Sequence, residues 1–279
     1  MKRKLLIIIS ALAVSACVEE VNLDKAFEKT VTVNCILNAD AETQSVDIKY
    51  NGDFGEILFE RVPDADVVMF ADGKELGHLK KIAFSRWVID LKPEPGVTYR
   101  LEIQVPGEKK ITAETTVPEP APIRMASNPE DIDKYLQTFI HEAGTSSACW
   151  ISIEKSRLIG SNHPYRDEFN KLEKIHGSLY PEGYKSRFTV CDDYVRISPV
   201  TLEKNLTFLL EGSSIYRGAE IVFITMSDDY DLYRKSAYQK IKAYTGEDFT
   251  DFLEENVVYS NIKNGTGIFG AYVTRKITI

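Results

Sequence analysis

Six sets of residues in the 279-residue chain have types and spacings that would do chemistry, and three of them fail on context. Gly265-Thr266-Gly267-Ile268-Phe269-Gly270 has the G-x-G-x-x-G spacing with which a backbone cradles a pyrophosphate. That use needs a strand before the run, a helix after it, and an acidic residue about 20 positions on. Only nine residues follow Gly270, and they read as a strand. The expectation is therefore a glycine-rich turn, where positive φ or close backbone approach excludes a side chain. His141-Glu142 does not open an H-E-x-x-H zinc motif, because position 145 is Thr. His78, His141, His163 and His176 share no metal-ligand spacing with one another or with the cysteines. Asp228, Asp229 and Asp231 gather carboxylates as a calcium site would, but without the regular spacing and glycine turn of a calcium loop. They also fall in the first turn of an expected helix, where acids favour the positive end of the dipole. No G-x-S-x-G elbow is present. No metal, cofactor or catalytic set is expected.

Two aromatic and thiol questions stay open at this level. In Cys149-Trp150-Ile151-Ser152-Ile153-Glu154 the alternation puts Cys149, Ile151 and Ile153 on one face and Trp150 with Ser152 and Glu154 on the other. Trp150 is then either exposed for ligand stacking or packed under a helix. Cys149 and Cys191 both adjoin strand-like runs, and either pair as a disulfide or remain thiols. Cys35 shares its alternate face with Val31, Val33 and Leu37 and reads as a small buried hydrophobe.

Cys17 is the residue with the strongest chemical context. Met1-Lys2-Arg3-Lys4 is basic, Leu5 to Val14 is an almost wholly apolar run of ten, and Ser15-Ala16-Cys17 supplies small residues before a cut. That is the pattern of a secretory signal over residues 1–16, too short for a bilayer core that needs about 20 residues. Val14-Ser15-Ala16-Cys17 resembles the lipobox of bacterial lipoproteins, in which the cysteine thiol is acylated and becomes the first mature residue. Cys17 is thus the expected lipid attachment site. One acyl chain anchors only marginally, and stable anchoring takes more than one. The following stretch, residues 17–29, is an acidic tether whose Glu19-Glu20 resembles a surface-export signal. Removing 16 residues from 279 leaves 263, and loss of Lys2, Arg3 and Lys4 moves the net charge from −8 to −11. That balance repels nucleic acid and anionic membrane surfaces.

The elements that must position these residues are mainly strands. From residue 30 to 117 the pattern has period two, clearest in Val97, Tyr99, Leu101, Ile103 and Val105 against Thr98, Arg100, Glu102 and Gln104. Asp72-Gly73 is a two-residue hairpin signal after the Asp66 to Phe70 strand. Trp87, Ile89 and Leu91 share a face, with Trp87 expected in the core. About seven short strands in this span predict an immunoglobulin-like β-sandwich. Pro118, Pro120 and Pro122 cannot donate to a ladder, so 118–123 reads as a linker. Residues 124–279 read as a second β-rich domain with one or two packed helices. Strands are expected at Cys149 to Lys155, Arg187 to Val190, Thr207 to Leu210, Ile221 to Met226 and Ala271 to Ile279. The spacing predicts a helix over Asp228 to Tyr244, capped by Ser227, and a weaker helical stretch over Tyr165 to Ile175.

With these segments placed, the chain resembles the domain of unknown function 4249 family, lipoproteins of the Bacteroidota. The likeness lies in the lipobox and acidic segment before Val31-Thr32-Val33-Asn34, in Ala65 to Met69 with its Asp72-Gly73 hairpin, and in Pro95 to Leu101. Thr112 to Pro118 continues it, and the Ser260 to Tyr272 close with Asn261-Ile262 and Gly267-Ile268-Phe269-Gly270-Ala271-Tyr272 is its most specific part. The resemblance implies an envelope lipoprotein on the outer membrane, surface-displayed and associated with a TonB-dependent transporter. It implies no activity and no site residue besides Cys17. The expected function is a non-catalytic binding or accessory module, held to the membrane through its lipid. The rival expectation is a surface glycan-binding or glycan-processing protein.

Overall fold

The computed structural model describes residues 29–52, 61–62, 64–126, 136–142, 147–154, 172–175, 188–191, 194–197, 206–212, 220–245 and 257–278. The fold is mainly β. The first span carries β1 (Val31–Asn38), β2 (Thr43–Tyr50), β3 (Asp66–Ala71), β4 (Lys74–His78), β5 (Lys80–Lys81), β6 (Arg86–Asp90), β7 (Thr98–Gln104) and β8 (Ile111–Thr116). The alternation read from sequence appears directly as burial: Val31, Val33, Cys35 and Leu37 of β1 are inside, and the residues between them are not. Asp72 (φ 47°) and Gly73 (φ 79°) both adopt left-handed backbone, the geometry of a two-residue turn that matches strand twist. Trp87 and Cys35 lie in the core, and burial pushes the Cys35 thiol up.

Past the prolines come β9 (Ile123–Met125), β10 (Leu136–His141), β11 (Ala148–Glu154), β12 (Leu172–Ile175), β13 (Phe188–Cys191), β14 (Tyr194–Ile197), β15 (Leu206–Gly212) and β16 (Glu220–Met226). Helix α1 (Asp228–Thr245) and the long β17 (Thr266–Thr278) complete the described elements. Leu172–Ile175, expected within a weak helix, is instead a strand paired antiparallel with β15. Its short apolar spacing suits either period, and the neighbouring strand decides it. Residues 165–171 of that expected helix lie outside the described residues.

Nine strands form one sheet in the order β13-β14-β11-β16-β17-β1-β2-β6-β5. Two four-stranded sheets, β4-β3-β7-β8 and β12-β15-β10-β9, accompany it. Residues of β1, β2, β6 and β17 share one core with Val67, Met69, Tyr99, Leu101, Ile103, Ile111 and Ala113 of the first small sheet. Phe139 of β10 meets Phe223 of β16 edge-on at 5.2 Å. Phe223 lies on the same face as Thr225, whose register partner Val273 belongs to that core. Both small sheets therefore cover one face of the large one, and α1 lies on the other. The proline segment is tied in as well: buried Ala121 donates its N–H to Thr225 Oγ1 at 2.8 Å.

The centre of the large sheet is a parallel pair. β17 runs beside β1 in register from Thr32↔Thr266 to Asn38↔Tyr272, and antiparallel to β16 from Met226↔Tyr272 to Glu220↔Thr278. Asn261 fixes where β17 begins: its Oδ1 accepts the Phe269 N–H (2.9 Å) and its Nδ2 donates to the Phe269 carbonyl (2.8 Å). Gly265 sits in the bend before β17, as expected of a turn, whereas Gly267 and Gly270 lie within the strand. Close approach is the reason for all three, a Cβ on Gly265 falling 2.8 Å from the Val31 carbonyl oxygen. A Cβ on Gly267, at φ +109°, would collide with the Val33 carbonyl, and one on Gly270 would sit 2.6 Å from Tyr230 Cβ.

Gly267→Ala is expected to cost about 2–5 kcal/mol, from left-handed strain of about 1–2 and overpacking of about 1–3. Gly73→Ala, with open space around it, should cost only the strain. Urea denaturation of both variants checks this. Equal losses would mean that Val33 yields without resistance.

Candidate functional site

Helix α1 and the sheet beneath it hold the densest polar chemistry among the described residues. Ser227 caps the helix as expected: its Oγ accepts the Tyr230 N–H at 3.4 Å and also the Ala271 N–H of β17 at 3.0 Å. Three residues along β16, β11 and β14 make the floor. Trp150 of β11 stands beside Ile224 of β16 on one side and Arg196 of β14 on the other. From the first turn of α1, Asp231 reaches down to both Trp150 and Arg196. Trp150 Nε1 donates to Asp231 Oδ1 at 2.7 Å, Arg196 Nε donates to the same oxygen at 2.7 Å, and Arg196 Nη2 donates to Oδ2 at 2.5 Å. Trp150 is 2 % exposed, Asp231 1 % and Arg196 6 %. A fork-to-fork pair of this kind is the stronger class of hydrogen bond, and its members are desolvated together.

Trp150 is accordingly not the exposed stacking residue that is one of its two expected roles. The helix covers it, its indole N–H is used, and the Arg234 guanidinium lies 4.6 Å above its ring. The acidic cluster also divides. Asp231 serves Arg196 and Trp150, while Asp229 accepts the Tyr259 hydroxyl, whose pKa is pushed up to about 12 by burial and then by that carboxylate. The Cys149–Cys191 disulfide, one of two open readings of those thiols, does not form. Cys149 is a buried free thiol, pushed up by desolvation. Cys149 faces Ile197, whereas Cys191 faces Tyr194 across β14, which lies between their strands. Two strand spacings and a three-residue offset exceed the roughly 7 Å Cα separation that a bridge tolerates.

His141 is buried, bonds the Glu142 carbonyl through Nδ1, and has its pKa lowered by desolvation. His78 is exposed beside Asp66 at 2.6 Å. Among the described residues no three His, Cys, Asp or Glu side chains are grouped to hold a metal. Cys17, the tether before residue 29, His163 and His176 lie outside the described residues.

Beside α1 the uncovered end of the same sheet face forms a groove of about 290 Å³. Val222, Ile224 and Met226 make its floor, Tyr230 and Tyr272 a wall, and Ser152, Thr274, Arg234 and Lys276 its polar rim. The two tyrosine rings are 6.1 Å apart and tilted by 35°. Burial and the neighbouring Tyr230 raise the Tyr272 pKa. Asp40 braces the rim by accepting from Thr274 N–H (3.0 Å) and Oγ1–H (2.6 Å). Nothing in the sequence pairs Arg196 with Asp231, 35 residues apart. The one available signal is that Asp231 falls on the helix stripe of Ser227, Arg234 and Tyr238, where a carboxylate facing the sheet requires a cation.

Asp231→Asn should destabilise the protein by about 3–5 kcal/mol, because it strands a buried guanidinium. Asp231→Leu combined with Arg196→Met should be markedly milder. Chemical denaturation of the single and double variants separates the two. A double variant as damaged as the single one would contradict the pairing.

The profile of the family described as Domain of unknown function (DUF4249) matches residues 18–278. No curated protein matches the chain. Among solved structures, a β-glucuronidase from Parabacteroides merdae is 10% identical, with 72% of this chain and 24% of that chain covered and a TM-score of 0.21. A membrane-anchored protein from Corynebacterium diphtheriae is 11% identical, with 71% and 55% covered and a TM-score of 0.22. The chain spans about a quarter of the glucuronidase and just over half of the second protein, and likeness at this level carries nothing about activity. The family match extends over nearly all of the sequence, from the residue after Cys17 through β17, and the chain belongs to the DUF4249 family.

Proposed function

We propose that this is a non-catalytic envelope lipoprotein, anchored through acyl chains on Cys17 at the outer-membrane surface, where it acts as a binding or accessory module beside a TonB-dependent transporter. The observation that carries this reading is the junction at Cys17. A basic, then apolar, then small-residue leader ends there, and the family match begins at the next residue. No helix among the described residues is long and apolar enough to cross a membrane. A thioether-linked lipid supplies attachment without such a span. The buried charges Arg196 and Asp231 are engaged with each other and with Trp150 in holding α1 to the sheet, an arrangement that supports a structural use. Cells grown on labelled palmitate should incorporate label into the protein and lose it with Cys17→Ser. The tagged native protein, solubilised from the outer membrane, should bring a transporter with it. Unchanged label and membrane fractionation in Cys17→Ser, or recovery without any envelope partner, would defeat the proposal.

The groove supports a second reading, surface glycan binding. Tyr230 and Tyr272 offer aromatic faces to sugar C–H groups, and Ser152, Thr274 and Arg234 offer polar partners around them. A glycan array should then show binding that weakens with Tyr272→Ala. No binding at millimolar ligand removes this reading.

A further inference from the structure

The end of the sandwich at which the chain enters β1 carries an apolar tip ringed by cations. The β5–β6 hairpin turns through Ile82, Ala83 and Phe84, closed by the Ile82 and Ala83 N–H groups donating to the Arg86 carbonyl at 3.0 and 3.3 Å. Ile82 is 57% exposed and Phe84 68%. The Arg61 guanidinium lies 3.9 Å over the Phe84 ring. Strand register places this tip. The Ser85 carbonyl accepts from the Ile48 N–H at 2.7 Å, Lys49 bridges Arg61, and Tyr50 faces Val31, the first residue of β1. Phe84 is therefore two strands across from the point where the chain arrives from Cys17, about 10 Å away.

The same end concentrates positive charge in a chain whose net charge is −8. Lys29 lies over the Tyr50 ring at 4.1 Å, and Tyr50 donates to Glu108 in the β7–β8 turn, which also presents Lys109 and Lys110. Lys263 bridges Thr112 beside them, and Lys81 flanks the apolar tip with its Asp64 partner at 3.4 Å. Among the described residues at this end, Glu108, Asp64 and Glu102, which pairs with Lys110, are outnumbered by Lys29, Lys81, Lys109, Lys110, Lys263 and Arg61. Net negative charge opposes an anionic surface at a distance, but screening confines the field to about 8 Å at physiological salt. At contact the local sign decides.

We infer that this end of the protein docks on the lipid bilayer, with Ile82 and Phe84 entering the interface and Arg61 and the lysines meeting headgroup phosphates. Exposed aromatic and aliphatic side chains rimmed by Lys and Arg are the composition of an interfacial contact, in which long cationic side chains bury their stems and keep their charges among the headgroups. The inference rests on the anchoring proposed above, because Cys17 lies only 12 residues before Lys29, at most about 40 Å of extended chain. A tether that short holds the face at high effective concentration over the bilayer, so a weak contact suffices.

The test uses mature lipidated protein reconstituted into vesicles of phosphatidylethanolamine and phosphatidylglycerol with brominated chains. Phe84→Trp should show blue-shifted emission and bromine quenching, read against the background of buried Trp87 and Trp150. Leu232→Trp, on the exposed side of α1, should show neither. Equal quenching in both variants, or none in the Phe84→Trp protein, would overturn the inference. Palmitate label on the same preparation reports the anchor separately. If Cys17 carries none, the same vesicles mixed with unlipidated protein still read the face: quenching at position 84 alone sustains docking, and its absence rejects it.

Discussion

The pairing of β1 with β17 is the constraint on which the rest of the molecule depends. It joins Thr32 to Thr266, 234 residues apart, and closes the gap between the strands of the first span and those after the prolines. Without it β1 and β17 would be edges of separate sheets, each showing a row of unpaired backbone groups. The pair is parallel, so no hairpin can make it and the whole intervening chain is the crossover. Its closeness explains Gly267, which yields space to the Val33 carbonyl, while Gly270 yields space to Tyr230 of α1. It also places α1, since Ser227 caps the helix and holds the Ala271 N–H at once.

Much of this is readable residue by residue. Period-two burial, the Asp72-Gly73 turn and the Ser227 cap are local phenomena, set by alternation, left-handed backbone and a hydroxyl next to free N–H groups. What escapes is anything set by a neighbour remote in sequence. Trp150 is ambiguous because alternation says which side of a strand a residue occupies, not what covers that side. The glycine run reads as a turn because its exposed-looking composition answers to a partner strand, β1, some 230 residues earlier. Cys149 and Cys191 read as pairable because nothing local reveals that β14 lies between them. The groove is not legible at all. Its members come from β11, β16, β17 and α1, and its only trace in sequence is a surplus of tyrosine.

The polar chemistry of the described residues is organised around attachment of the helix. Asp231 accepts three hydrogen bonds, Asp229 a tyrosine hydroxyl, and Ser227 two N–H groups. A carboxylate engaged like Asp231 is shielded from water, which suits rigidity.

Because β17 runs parallel to β1, the described chain enters the large sheet at one end and its last strand leaves at the other. The 13 residues of β17 cover about 40 Å at strand rise. The protein thus has the geometry of a strut, with any sequence fused after Thr278 projecting from the pole opposite the start of β1. The groove sits towards that same distal pole, since Tyr272 pairs with Asn38 and Lys276 lies beyond it.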